Sequence, residues 1–157
     1  MNIKLIWIGK TDEKALLTLI HKYEKRIKGF VNFALEEIPD IKNTKNLSES
    51  QQKLREGDLI LSKISKGDFV ILLDEKGKEF TSKQFAGLLQ KQMNSGVKNL
   101  VFVIGGPYGF SDAVYQRANQ KLALSQMTFS HQLVRVIFME QLYRGYSIIH
   151  HHPYHHS

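Results

Sequence analysis

The chain contains no cysteine. That excludes a disulfide framework, a thiol nucleophile and any zinc site built on sulfur. Nor is there an apolar run near the roughly 20 residues needed to cross a bilayer. The opening stretch MNIKLIWIGK turns polar too soon for a secretory signal. Three prolines in 157 residues leave little scope for a proline-rich linker. Acidic residues are outnumbered, 15 against 22 Lys and Arg, giving a net charge of +7. With 42% apolar and 24% charged residues the composition is that of a globular protein. One α/β domain over residues 1–157, cytoplasmic and without metal or membrane, is the expectation, and its basic balance favours a polyanionic partner.

A further scarcity is local. Residues 1–98 carry 18 basic and 13 acidic side chains, whereas 99–157 carry only Arg117, Lys121, Arg135, Arg144, Asp112 and Glu140. Either this third holds a central strand and one buried helix, or a second subunit or ligand covers it.

What is present reads as alternating strands and helices. Strands are expected at Ile3–Ile8, Phe33–Ile38, Phe69–Leu73 and Leu100–Ile104, with a brief one at Leu122–Leu124. The runs FVILL and LVFVI are apolar without alternation, the pattern of parallel strands covered on both faces. Thr11 is placed to cap a first helix whose apolar face is Leu16, Leu19, Ile20, Tyr23 and Ile27, with Lys14, His21, Lys22, Lys25 and Arg26 opposite. Ser48 with Gln51 and Thr81 with Gln84 are capping boxes for two further helices. Asp74–Gly77 is expected to be an exit loop, and Ser111 caps a short helix at 112–119. A last helix spans about Ser130–Ser147. Its apolar residues point in nearly every direction, so one face is expected on the sheet and the other on a second copy of the chain.

Such alternation gives a mostly parallel sheet with helices on both faces. Ligands then bind at the carboxyl ends of strands: Leu73-Asp74, Gly105-Gly106 and Leu124–Phe129. The turn IGGPYGF is neither a dinucleotide fingerprint nor a P-loop, leaving close backbone approach to a ligand or a plain tight turn. The segment LSQMTF is apolar yet aperiodic, so something must cover it. The tail HHHPYHHS invites a metal reading, but a terminus supplies no fixed geometry. RNA contact through rings that stack and donate is the alternative. Glu140 and Arg144, at i, i+4, fit an internal ion pair.

Taken together, VILLDEKGKEFTS, LVFVIGGPYGF, LSQMTFSHQLVRVIFMEQLYRGYSI and HHPYHH, with YEKRI and EIPD upstream, resemble the RlmH family of SPOUT methyltransferases. The resemblance runs the length of the chain, with Ser130 where the family usually has proline. It implies an α/β fold with a C-terminal trefoil knot, which general topology rules would not anticipate. It also implies S-adenosylmethionine as methyl donor, a homodimer, and N3 of a pseudouridine in 23S rRNA of the assembled ribosome as target. Carried over by motif, the donor would contact Leu73, Gly105, Leu124, Ser125, Gln126, Met127, Thr128 and Phe129. Substrate RNA would meet Tyr154 and His155. His131 and Glu140 are candidate bases, and Arg135 and Arg144 candidate partners for uracil oxygens or a phosphate. Two other readings fit the same basic chain: a non-catalytic RNA-binding or ribosome-assembly factor, and a SPOUT enzyme acting on tRNA.

Overall fold

Five strands form one parallel sheet in a computed structural model, which describes residues 1–156. In chain order the elements are β1 (Asn2–Ile8), α1 (Lys14–Lys28), β2 (Asn32–Ile38), α2 (Glu49–Ser62), β3 (Phe69–Glu79), α3 (Ser82–Asn94), β4 (Asn99–Ile104), α4 (Asp112–Arg117), β5 (Gln120–Ala123) and α5 (Leu133–Ile149). The spatial order is β2-β1-β4-β3-β5, and every described pairing is parallel.

Strand alternation divides the interior in two. Ile3, Leu5 and Trp7 of β1, Ile71 of β3 and Leu100 and Phe102 of β4 face α1, α3 and α5. Ile6 and Ile8, Val70 and Leu72, and Val101 and Val103 face α2 and α4. Both sets are buried, which is why β3 and β4 read as unbroken apolar runs. Helices thus cover both faces of the sheet.

Local capping chemistry holds where nothing competes with it. Ser48 Oγ accepts from the Gln51 N–H and Thr81 Oγ1 from the Gln84 N–H, each at 3.1 Å, and each glutamine returns a bond to the cap backbone. Ser130 is not the cap of α5, which begins at Leu133 after Gln132; its Oγ accepts from the Leu133 N–H at 3.0 Å in the turn before the helix. Thr11 departs from expectation. α1 begins at Lys14 after Glu13, and the Thr11 hydroxyl instead accepts from Arg135.

Two further expectations change. Residues 74–77 are not an exit loop, because β3 runs on to Glu79. Leu122 of β5 pairs with both Leu73 and Lys78, so the intervening residues bulge from a continuous strand. Gly77 permits this: a Cβ there would stand 2.6 Å from the Leu122 amide nitrogen. Second, both predicted faces of α5 are largely covered within the chain. Val136, Phe138, Met139, Leu142, Tyr143 and Tyr146 are all buried, and α5 packs between α1 and α3. The charge-poor third is therefore mostly explained by central strands and one enclosed helix. What stays partly open on α5 includes Leu133, Ile137 and Gln141 along one line and Glu140 and Arg144 beside it.

Candidate active site

The carboxyl ends of β3, β4 and β5 open into a cleft of about 770 Å³. The sequence placed eight of its candidates on this wall: Leu73, Gly105, Leu124, Ser125, Met127, Thr128, Phe129 and His131 all line it. Gln126 does not; its Nε2 donates to Glu79 Oε1 at 2.9 Å. Within the 124–129 loop the Met127 N–H donates to Ser125 Oγ at 3.0 Å, while the Met127 side chain is 78% exposed at the cleft mouth. The glycine turn forms the opposite lip. Gly109 has φ +83°, a left-handed conformation that favours glycine, and its N–H closes onto Gly106 O at 3.2 Å. A Cβ on Gly105 would press on the Phe110 ring at 3.0 Å. The glycine is thus required by packing beneath the turn.

Other residues complete the lining, and those on α2 carried no signal in the sequence. Glu49, Ser50 and Lys53 of α2 reach the cleft only through tertiary packing. Asp74 lies one residue beyond Leu73. Its Oδ2 accepts from the Tyr115 hydroxyl and its Oδ1 from the Lys76 N–H at 2.8 Å. Burial and then the Asp74 carboxylate push the Tyr115 hydroxyl above the usual phenol range. Phe110, Leu122 and Val134 complete an apolar floor.

The remaining candidates lie elsewhere. Arg135 is buried and lies beside β1 rather than on the cleft wall. Its guanidinium donates to Thr11 Oγ1 at 2.9 Å and Ile8 O at 2.7 Å, 4.8 Å from the Trp7 ring centroid. Burial lowers its pKa, opposed by Glu37, Asp40 and Asp12; an arginine remains charged there. Glu140, Arg144, Tyr154 and His155 come together in a second cluster. Glu140 Oε1 accepts from Arg144 Nε at 3.0 Å and from the Tyr154 hydroxyl at 3.1 Å. Arg144 lies 4.8 Å over the Tyr154 ring and 3.1 Å from His155 Nδ1. Tyr154 also packs edge-on against Tyr143 at 4.8 Å and meets the Tyr23 hydroxyl of α1. The tail therefore does add to the packed interior, contrary to the reading of it as a free end. Ser157 lies outside the described residues.

His150 and His152 pack on Phe30, at 5.0 and 6.3 Å between ring centroids, whereas His155 meets Arg144. Among the described residues no three His, Asp or Glu side chains stand where they could share a metal ion. No helix among them is long and apolar enough to cross a membrane.

A family model described as "Predicted SPOUT methyltransferase" matches residues 1–155. The chain belongs to the SPOUT methyltransferase family. That family's fold carries a C-terminal knot. Ribosomal RNA large subunit methyltransferase H of Flavobacterium johnsoniae is 65% identical over 157 residues, the whole of both chains. The proteins of that name from Christiangramia forsetii and Bacteroides thetaiotaomicron are 58% and 52% identical, over 99% and 100% of both chains. A SPOUT methyltransferase needs a methyl donor.

Proposed function

We propose that this SPOUT methyltransferase uses S-adenosylmethionine to methylate N3 of a pseudouridine in 23S rRNA of the assembled ribosome, working as a homodimer. The observation that carries this reading is the cleft at the carboxyl ends of β3, β4 and β5, floored by apolar side chains and lipped by a glycine turn. Its residues suit the donor. Gly105 and Gly106 line the cleft with backbone rather than side chain, as reading an adenine requires, and Leu73, Leu124 and Phe129 supply apolar contact. Leu73, Gly105 and the 124–129 loop would hold it, Gln126 through its backbone.

When bound, the donor supplies an electrophilic methyl group on a sulfonium. The protein's own task is to orient the target and manage the proton that leaves N3. His131 lines the cleft and is the candidate base within this chain. Glu140, Arg144, Tyr154 and His155 stand as one preassembled cluster beside α1. In a dimer such a cluster can serve the partner's cleft, where a carboxylate and a guanidinium would steady the uracil ring and its developing charge. Apolar exposure around the mouth supports a second copy there: Met127 and Tyr108 are 78% and 42% exposed. Lys14, Lys22, Lys25 and Lys28 of α1 are exposed, and such a basic surface suits rRNA phosphates.

The test has three arms. S-adenosylmethionine should raise the melting temperature, since a ligand that binds only the native state stabilises it. Mass spectrometry of rRNA from a deletion strain should find one methyl group missing. Sedimentation should give about twice 18.1 kDa. An unchanged melting curve at millimolar donor would refute the enzyme reading. A methyl group missing from tRNA instead would refute the substrate.

A further inference from the structure

One buried ionisable group near the cleft has no part in the chemistry above. Glu56 of α2 is only 4% exposed. It continues the stripe formed by Glu49 and Lys53, which line the cleft, at the i, i+4, i+7 spacing of one helix face. Its Oε2 accepts from Gln52 Nε2 at 3.2 Å. Its Oε1 has no hydrogen-bond partner among the described residues. Burial, reinforced by Asp40, pushes the carboxyl above its ordinary range. For stability alone an apolar side chain of this size would serve better, because an unsatisfied buried oxygen is costly.

The position of the carboxyl gives it a task. A Cβ on Gly106 would lie 2.5 Å from Glu56 Oε1 and 2.8 Å from Oε2, so the carboxyl presses directly on the bare Cα of the turn. The next residue, Gly57, lacks room for a Cβ against Ser111 Oγ, and that hydroxyl accepts from the Val114 N–H to cap α4. α2 therefore braces both ends of the turn from beneath. The turn is tied to itself by the Gly109 N–H on Gly106 O, so moving Gly106 moves the whole lip.

We propose that Glu56 is a positioning residue for the donor: its carboxyl sets the height of the Gly105–Gly109 lip, and so the fit of S-adenosylmethionine in the cleft. This rests on the donor-site reading above. Glu56 touches no reacting atom; it acts through Gly106.

Calorimetric titration with S-adenosylmethionine and steady-state methylation of undermethylated ribosomes test it. Glu56→Ala and Gly106→Ala should each weaken donor binding at least tenfold. The donor KM should rise while kcat at saturating donor stays within threefold. Glu56→Gln, which keeps the shape of the side chain, should bind within threefold of wild type. The double variant Glu56→Ala with Gly106→Ala should bind at least threefold better than Gly106→Ala alone, because the shortened side chain makes room for the new methyl. Should Glu56→Ala not fold, Glu56→Asp, which withdraws the carboxyl by one methylene, replaces it in the cycle. A merely structural role predicts lower melting temperatures with no rescue of donor affinity in the double variant, and that result overturns the proposal. Wild-type affinity in Glu56→Ala overturns it as well. Failure of the wild type itself to bind donor removes the donor-site reading and this inference together.

Discussion

Gly77 offers a sharp test of how the cleft is framed. Leu122 pairs with both Leu73 and Lys78, so the bulged part of β3 must lie against the backbone of β5. A Cβ at residue 77 would stand 2.6 Å from Leu122 N, 2.7 Å from Lys121 C and 2.8 Å from Leu122 C. All three are backbone atoms of a paired strand, so no side chain can rotate away. Overpacking costs typically about 1–3 kcal/mol, and a backbone collision belongs at the upper end. At about 2–4 °C per kcal/mol for a chain of this length, Gly77→Ala should lower the melting temperature by about 6–12 °C. Because Asp74 and Leu122 line the cleft, donor affinity should fall as well. Gly87 is the matched control. It lies within α3, exposed, with nothing within 4 Å of a Cβ. There alanine should stabilise by about 0.5–1 kcal/mol, through better helix propensity alone. Thermal denaturation followed by circular dichroism compares the two. A Gly77→Ala protein melting within 1–2 °C of wild type would refute the claim that β3 and β5 meet backbone to backbone at the bulge.

Three other outcomes are expected. The Tyr146 hydroxyl is buried without a partner among the described residues, and burial pushes its pKa up to about 12; Tyr146→Phe should raise stability by about 1 kcal/mol, or 2–4 °C in a melting scan. Glu56 has a raised carboxyl pKa, so the native state holds its proton more tightly than the unfolded chain. Its contribution is therefore greatest in acid and is lost as pH rises from the ordinary range near 4.5 through the raised folded value; urea titrations of wild type across that window should show a decline that Glu56→Gln flattens. Removing residues 154–157 should cost about 1–2 kcal/mol, from the Tyr143 and Arg144 contacts of Tyr154, yet reduce single-turnover methylation of ribosomes at least tenfold; equal rates would take the tail out of the reaction.

How far the sequence could be read depended on the range of each interaction. The capping boxes at Ser48 and Thr81 are complete within four residues, and both are present. The apolar runs at 3–8, 69–73 and 100–104 became strands because burial on two faces leaves no other composition possible. Thr11 shows the limit. As a helix cap it is locally sound, but Arg135, 124 residues away, claims its hydroxyl, and no window of sequence contains both. The continuation of β3 to Glu79 was hidden for the same reason, since Leu122 of β5 stabilises it. At the cleft, the 124–129 loop was conspicuous because it is apolar without period. Glu49, Ser50 and Lys53 were not, because nothing in a surface helix marks which turn meets a distant loop.

The placement of the cleft follows from topology and then from side chains. In a parallel sheet a crevice opens wherever neighbouring strands send their connections to opposite faces. Here that happens three times. β1 leads to α1 and β3 to α3 on one face, whereas β2, beside β1, leads to α2 and β4, lying between β1 and β3, leads to α4 on the other. Two of these crevices flank β4. The one beside β1 is occupied by the protein's own polar groups. Asp40 presses on Gly9, where a Cβ would lie 2.7 Å from Oδ1. Arg135 takes Ile8 O, and Gln132 Nε2 donates to Asp12 Oδ2 at 2.8 Å. The one beside β3 has no such filling and remains as the cleft. Glu56 stands under Gly106 at the end of β4, the strand the two crevices share. A carboxyl there faces Asp40 on the filled side and supports the glycine lip on the open side, so a change at residue 56 should be felt in donor binding before it is felt in the sheet.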